Sequence, residues 1–256
     1  MAKDWVFDKA YARGFTEARQ ATLRDVLPTL RQQADLGTAL DAGCGVGYFS
    51  GFLRDLGFRV LAFDGRQENV QEARRRYPDI EFHTANIEDP NVQGLGCFDL
   101  VVCFGLLYHL ENPFRAIRNL FGLARKVVLI ESFSVPSPLP VVQLWDEGAV
   151  EDEALNRVAF YPSEACLVKM LYRAGFKFVY RFNPLPVHQD FTETPWRKRR
   201  RTMLAGSKTP LGSASLVPMR EPMNGSDPWL TTLTKLREHA LRLVRFAGKA
   251  SSGSTS

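Results

Sequence analysis

The sequence lacks the residue clusters that hold metals or disulfides. Its 256 residues include only four cysteines and four histidines, and no two cysteines form a Cys-x-x-Cys pair. No histidine cluster at metal-ligand spacing accompanies them. We therefore expect reduced thiols, with neither a disulfide framework nor a zinc centre.

Long hydrophobic runs are also absent. No stretch reaches the roughly 18 apolar residues that a membrane-spanning helix needs. The first residues, MAKDWVFDKAYARGF, are too charged for a secretory signal peptide. The 45% hydrophobic and 24% charged content is that of an ordinary globular protein with one sizeable core. These features predict a cytoplasmic protein.

The net charge of +5 is unevenly distributed. Residues 184–256 contain 12 Lys and Arg but only 5 Asp and Glu, and they include the run WRKRRR at 196–201. This run has two interpretations: a contact with phosphate on RNA, a nucleotide sugar or a membrane surface, or the cationic rim of an edge strand. We favour the rim.

A basic helix is predicted over residues 229–247, with an apolar stripe along one side. Packing against the core or a second subunit explains the stripe. Peripheral contact with an anionic membrane is the alternative. We expect a monomer or a homodimer.

Strand and helix patterns alternate along most of the chain. Short apolar segments such as TALDAG, RVLAFD and FDLVVCFG are separated by helical patterns of about 10–15 residues. This order predicts an α/β fold with a doubly wound, mostly parallel, seven-stranded sheet. We divide the chain into an N-terminal helical cap (1–36), a main domain (37–207) with an irregular substrate or lid segment (133–160), and a linker with the C-terminal helix (208–256).

A glycine-rich loop follows the first predicted strand. It contains Gly43, Gly45 and Gly47, with Asp41 two residues before the first glycine. A dinucleotide fingerprint needs a small third residue where this chain has Tyr48. A carboxylate at Asp41 would repel a pyrophosphate and attract the ammonium group of an amino-acid moiety.

The loop and the segments after it resemble class I S-adenosylmethionine (SAM) dependent methyltransferases over residues 37–132. Asp64 ends the second strand, where that family binds the ribose hydroxyls, and ANIED follows the third strand, beside the adenine. FGLLYHL follows the fourth strand, beside the methionine part of the cofactor. The resemblance implies that SAM is held by Asp41, Gly43, Cys44, Gly45, Gly47, Asp64, Gly65, Asn86, Ile87, Glu88, Phe104 and Gly105.

Several methyltransferase chemistries lack their motifs here. No Asn/Asp-Pro-Pro-Tyr/Phe follows the fourth strand, which argues against methylation of a nucleobase amine. Cys103 has no flanking proline of the type found in C5-cytosine enzymes. The strand ends VVCFG, without the metal-binding Asp of catechol-type enzymes, so we expect no metal.

Three residues are candidates for the acceptor side of the site. His109 is the best general-base candidate, because an imidazole is the side chain most suited to proton transfer near neutral pH, with a packing role for the loop as the alternative. Tyr108 either meets substrate and cofactor or packs. Glu131, at the end of the fifth strand, either binds substrate or caps a loop.

A narrower resemblance covers residues 37–207. The segments GLLYHLENP, VLIES, YPSEACLVKMLYRAGF and RRRTMLAGS are similar, in order, to tRNA wobble-uridine carboxymethyltransferases. In that family a Tyr, a His and an Arg contact the carboxylate of a carboxylated SAM and the substrate. The matching residues here are Tyr108, His109 and Arg201. The chain lacks that family's large N-terminal extension, and small-molecule and glycan methyltransferases share the pattern.

The sequence therefore predicts a metal-independent SAM methyltransferase that modifies a hydroxyl of a small molecule, such as a sugar or secondary metabolite. A tRNA wobble-uridine enzyme is the first alternative. A dinucleotide oxidoreductase is disfavoured by Asp41 and Tyr48. A non-catalytic partner protein that docks through its C-terminal helix is the remaining alternative.

Overall fold

The fold is taken from a computed structural model. It describes residues 3–148, 152–155, 157–194, 196, 198 and 200–222. The predicted C-terminal helix, residues 229–247, lies outside the described residues, as do Arg197 and Arg199 of the basic run.

One large sheet organises the described chain. Its strands are β1 (Thr38–Ala42), β2 (Arg59–Asp64), β3 (Glu81–Thr84), β4 (Phe98–Phe104), β5 (Ala124–Phe133), β8 (Phe178–Phe182), β9 (Arg201–Ser207) and β10 (Leu216–Pro218). The strand order is β10-β8-β9-β5-β4-β1-β2-β3. Strands β1 to β5 pair in parallel, whereas the β5–β9, β8–β9 and β8–β10 pairs are antiparallel. A separate antiparallel hairpin consists of β6 (Val142–Asp146) and β7 (Val158–Pro162).

Five α-helices accompany the sheet in the described residues: α1 (Ala10–Ala34), α2 (Tyr48–Asp55), α3 (Gln67–Arg76), α4 (Pro113–Leu123) and α5 (Glu164–Ala174). Local sequence sets several ends. The Asn112 side chain accepts a hydrogen bond from the Arg115 N–H, and Pro113 opens α4. Ser163 caps α5 in the same way, and that helix ends at Gly175. None of the described helices has the length and apolarity to span a bilayer.

The helices cover both faces of the sheet. Apolar side chains of α1 and α2 join one core cluster with alternate residues of β4, β5 and β9. The apolar residues that face the other way, among them Val101, Ile130 and Leu204, join a second cluster with α4 and α5. Strands buried on both faces are continuously apolar, as residues 100–104 of β4, LVVCF, are. The α/β doubly wound fold predicted from the sequence is confirmed.

The structure corrects three details of the prediction. Within the described residues the sheet has eight strands, because the three-residue β10 lies in the predicted linker and pairs with β8. The segment predicted as irregular, 133–160, contains the β6–β7 pairing. Strand β9, which begins at Arg201, lies between β5 and β8 and is therefore not an edge strand.

Candidate active site

The parallel strands bring the predicted site residues to one edge of the sheet. Asp41 is near the carboxyl end of β1, Asp64 ends β2, and Phe104 ends β4 beside Glu131 of β5. Because β9 is antiparallel to β5, its first residue, Arg201, is at the same edge, paired with Phe133. In open α/β sheets this edge is where ligands bind.

The glycine loop turns sharply between β1 and α2. Gly43, Gly45 and Gly47 all have positive φ, at 78°, 52° and 91°. The amides of Gly43 and Cys44 donate to the Phe63 carbonyl of β2, each at 2.9 Å. These bonds hold the loop against the end of the neighbouring strand. Because the glycines have no side chains, a ligand can approach the loop backbone closely.

Asp41 is buried beneath this loop. Its Oδ2 accepts a hydrogen bond from the Ser50 hydroxyl of α2 at 2.6 Å. Burial raises the pKa of Asp41 from 3.8 to about 7, although the Ser50 hydrogen bond acts in the opposite direction. The carboxyl therefore changes charge near neutral pH.

Asp64 connects the loop to the start of α3. Its Oδ2 accepts from the Gly45 N–H at 2.9 Å, and its Oδ1 accepts from the Arg66 N–H at 2.8 Å and from Asn69 Nδ2 at 3.1 Å. Burial raises the pKa of Asp64, while the backbone donors lower it. Each carboxylate oxygen has two lone-pair directions, so acceptor capacity remains for a ligand.

The residues predicted to surround adenine follow β3. Ile87 is buried in the core, and Asn86 Oδ1 accepts from the Glu88 N–H at 2.9 Å. The Glu88 carboxylate accepts from the Asn112 N–H at 2.6 Å and so connects this turn to the start of α4. Nearby, a Cβ at Gly65 would lie 3.1 Å from Leu155, so the segment before β7 covers the end of β2.

His109 pairs with a carboxylate that the sequence did not identify. His109 lies in a short 3-10 helix, Leu107–His109, after β4, and its Nδ1 is 2.6 Å from Glu147 Oε2. Glu147 follows β6 and also accepts from the Ala154 N–H at 2.8 Å. Its pKa is lowered, because the bonds from His109 and neighbouring donors outweigh the effect of burial.

A buried ionic cluster lies beside this histidine. Glu131, with no exposed surface, accepts from Arg19 Nη1 through Oε2 and from Arg201 Nη1 through Oε1, both at 2.8 Å. Arg201 Nη2 donates to the Tyr108 hydroxyl at 3.1 Å. Tyr108 in turn packs on His109, with 4.1 Å between ring centroids. The structure thus brings Tyr108, His109, Glu131 and Arg201 together.

Arg19 and Glu147 were missed from the sequence, for different reasons. Arg19 lies on the buried stripe of α1, four residues after Phe15 and four before Leu23. The helical periodicity places this charged residue among the apolar positions of α1, and that placement could have identified Arg19 as a buried, paired arginine. Glu147 lies in the segment predicted as irregular, where no pattern distinguishes it from neighbouring acidic residues. The described residues hold no group of three or more His, Cys, Asp or Glu placed to bind a metal.

Comparison with known proteins gives the family of this chain. The model of the methyltransferase-domain family matches residues 15–180. Among curated proteins, a ubiquinone biosynthesis O-methyltransferase of Caulobacter vibrioides is 33% identical over 86 residues, which is 32% of this chain and 34% of that protein. The Xanthomonas campestris protein of that name is 34% identical over 90 residues, 34% of this chain and 38% of its own length. The chain thus matches little more than a third of each relative.

Solved structures share the fold. The N-terminal domain of EvdMO1, crystallised with S-adenosylhomocysteine (SAH), superimposes with a TM-score of 0.56 at 21% identity, over 77% of this chain and 79% of that domain. The family match covers well over half of the chain, and the fold agrees with it. The chain therefore belongs to the class I SAM-dependent methyltransferases.

Proposed function

We propose that this chain transfers a methyl group from SAM to a hydroxyl of a small molecule, without a metal ion. The main observation that supports the proposal is the pairing of His109, in the segment after β4, with Glu147. The curated relatives are named O-methyltransferases, which supports an oxygen acceptor.

The residues at the edge of the sheet fit the cofactor. The positive-φ glycines and Asp41 would hold its methionine end, Asp64 the ribose hydroxyls, and residues 86–88 the adenine. Gly65, Cys44, Phe104 and Gly105 complete the lining proposed from the sequence. When bound, SAM supplies a methyl group already activated on a sulfonium.

The protein has to align the acceptor and remove its proton. Glu147 fixes the proton of His109 on Nδ1, because a carboxylate can only accept. This leaves Nε2 as the basic nitrogen, and no partner for Nε2 is seen among the residues described. The acceptor hydroxyl would pass its proton to Nε2 as its oxygen takes the methyl group. Tyr108 packs on the ring and limits its rotation.

The first prediction concerns this pair. We expect His109→Asn to lower kcat by roughly 10²-fold or more, the usual contribution of a general base. Glu147→Gln should lower kcat at least tenfold and change the pH–rate profile, since the tautomer of His109 is no longer fixed. Both variants should bind SAH as the wild type does. The assay is transfer of labelled methyl from SAM to a panel of phenols and sugars.

A matched control is available on β3. His83 and Glu81 form a similar pair, 2.7 Å apart, but their side chains are 40% and 66% exposed, so Glu81→Gln should leave kcat unchanged. Full activity of His109→Asn would show that His109 is not the base. A rate that falls on removal of divalent metal by EDTA and returns on adding it back would contradict the metal-independent mechanism.

One observation supports the alternative hypothesis of a tRNA wobble-uridine enzyme. Trp196 is 96% exposed, beside the exposed Lys198 and Arg200, and aromatic side chains among cations suit single-stranded RNA. Arg201, however, is buried and bonded to Glu131. RNA affinity that survives neutralisation of residues 197–200 would eliminate this alternative.

A further inference from the structure

The strand β6 forms an exposed edge of the hairpin. It pairs with β7 on one side, and within the described residues no strand pairs with its other side. All five of its residues are exposed. An uncovered strand edge presents a row of backbone N–H and C=O groups that can pair with another chain.

The hydrogen bonds of the hairpin show which backbone groups face outward. The Ser163 N–H donates to the Val141 carbonyl at 2.8 Å, and the Glu147 N–H donates to the Arg157 carbonyl at 2.9 Å. Successive residues of an antiparallel strand alternate between facing the partner strand and facing away from it. The residues of β6 whose N–H and C=O groups face away from β7 are therefore Val142, Leu144 and Asp146.

The side chains of β6 favour pairing with another strand. Lysines and prolines commonly protect an edge strand, and the sequence of β6, VQLWD, contains neither. Leu144 and Trp145 are 65% and 52% exposed. Trp145 stacks on Tyr161 of β7, with 5.6 Å between the ring centroids, so about half of the indole is left in solvent.

A second copy of this chain fits the edge. If two β6 strands run antiparallel about a two-fold axis at Leu144, each Leu144 exchanges two hydrogen bonds with Leu144 of the other copy. Val142 and Asp146 then exchange hydrogen bonds in the same way, because the outward groups fall in register. The two leucines pack together, and Trp145 lies opposite Gln143 of the second copy. Every outward N–H and C=O group of the strand gains a partner.

The charge of the hairpin favours this partner over others. Residues 141–155 contain five Asp and Glu but no Lys or Arg, which disfavours a nucleic acid or an anionic membrane. In the antiparallel pair the acidic turns lie at opposite ends. The two Asp146 residues would be about 14 Å apart at ~3.4 Å per residue. Because the Debye length is roughly 8 Å at physiological salt, their repulsion is weak.

We propose that two copies of this chain form a two-fold dimer by pairing their β6 strands into one four-stranded antiparallel sheet. The dimer goes beyond the proposed function. It would also hold the strand that leads into Glu147, the partner of His109. A five-residue edge is a small interface, and small interfaces give weak association, so the dimer should depend on protein concentration.

The test is sedimentation equilibrium of the full chain over a range of protein concentrations. The wild type should show a monomer–dimer equilibrium. Leu144→Pro removes the outward N–H but no hydrogen bond to β7. Its dimer dissociation constant should rise about tenfold or more, the effect of losing two hydrogen bonds. Leu144→Ile keeps the N–H and the apolar volume, so this matched control should dimerise as the wild type does.

Hydrogen exchange locates the interface. The amides of Val142, Leu144 and Asp146 should exchange about tenfold more slowly in the dimer than in the diluted monomer. The Glu147 amide, which bonds to Arg157 within the hairpin, is the internal control and should exchange equally in both states. Outward amides that exchange equally in dimer and monomer would overturn the proposal.

Two results of the sedimentation experiment would also overturn it. One is a wild type that stays monomeric at every concentration, and flotation of that monomer with phosphatidylcholine vesicles would assign the exposed side chains to a membrane. The other is a dimer as stable in Leu144→Pro as in the wild type, which would place the interface elsewhere. If circular dichroism shows that Leu144→Pro does not fold, Leu144→Lys replaces it. The two-fold axis would bring the two lysines opposite each other, so the same weakening is expected.

Discussion

At the scale of the single residue, Asp41 gives the clearest pH dependence. Its pKa is raised to about 7, chiefly by burial. Below that pH the carboxyl is neutral in the fold, and above it the group is an anion that can pair with an ammonium. We therefore predict that SAH binds about tenfold more weakly at about pH 6 than at about pH 8.

The measurement is calorimetric titration across that pH range. Asp41→Asn keeps the shape of the side chain but cannot ionise. The affinity of this variant for SAH should therefore be weak and nearly independent of pH. A wild-type affinity that is flat between these pH values would mean that Asp41 does not titrate in the binding equilibrium.

At the scale of the element, the glycine loop depends on backbone that other residues rarely adopt. Gly47 has a φ of 91°, and a Cβ there would lie 2.9 Å from the Tyr77 ring. We predict that Gly47→Ala lowers the free energy of unfolding by at least 1–2 kcal/mol, roughly the cost of left-handed backbone, and weakens SAH binding at least tenfold.

Gly14→Ala is the matched control for that variant. Gly14 lies inside α1, and nothing approaches its Cβ position within 4 Å. Alanine there should raise the free energy of unfolding by about 0.5–1 kcal/mol and leave SAH binding unchanged. Chemical denaturation measures both variants. A Gly47→Ala protein as stable as the wild type would show that the loop tolerates a side chain.

The elements also show what the sequence could and could not predict. The strands β1 to β5 and the helices between them followed from apolar runs separated by helical patterns, since a parallel sheet buried on both faces needs both. The hairpin was missed because β6 is exposed along its whole length, so no alternation of apolar and polar residues distinguishes it. Strand β10 was missed because three residues are too few for periodicity.

The same contrast applies to the candidate site. Asp41, Asp64 and the glycines are close in sequence to strand ends, so their meeting at one edge was predictable. The bonds of Arg19 and Arg201 to Glu131 join residues 112 and 70 positions apart. Such contacts depend on how α1 and β9 pack against β5, which no local pattern encodes.

At the scale of the whole molecule, the central expectation is that the carboxyl edge of the sheet binds SAM. Every residue proposed for the cofactor lies within the unit Met1–Glu221. Strands β1 to β4 contribute through their carboxyl ends and the turns that follow them. Family membership and fold agree with SAM binding at this edge. The binding itself can be measured directly, without knowledge of the acceptor.

The most direct measurement is calorimetric titration of the wild type and of Asp64→Asn with SAH. NAD is the control ligand. The control variant is Asp79→Asn, since Asp79 is an exposed carboxylate that pairs with Arg54. We predict micromolar binding of SAH and none of NAD. The affinity should fall at least tenfold in Asp64→Asn and stay unchanged in Asp79→Asn. Absence of SAH binding to the wild type, or equal binding by Asp64→Asn, would show that this edge of the sheet does not bind the cofactor through Asp64.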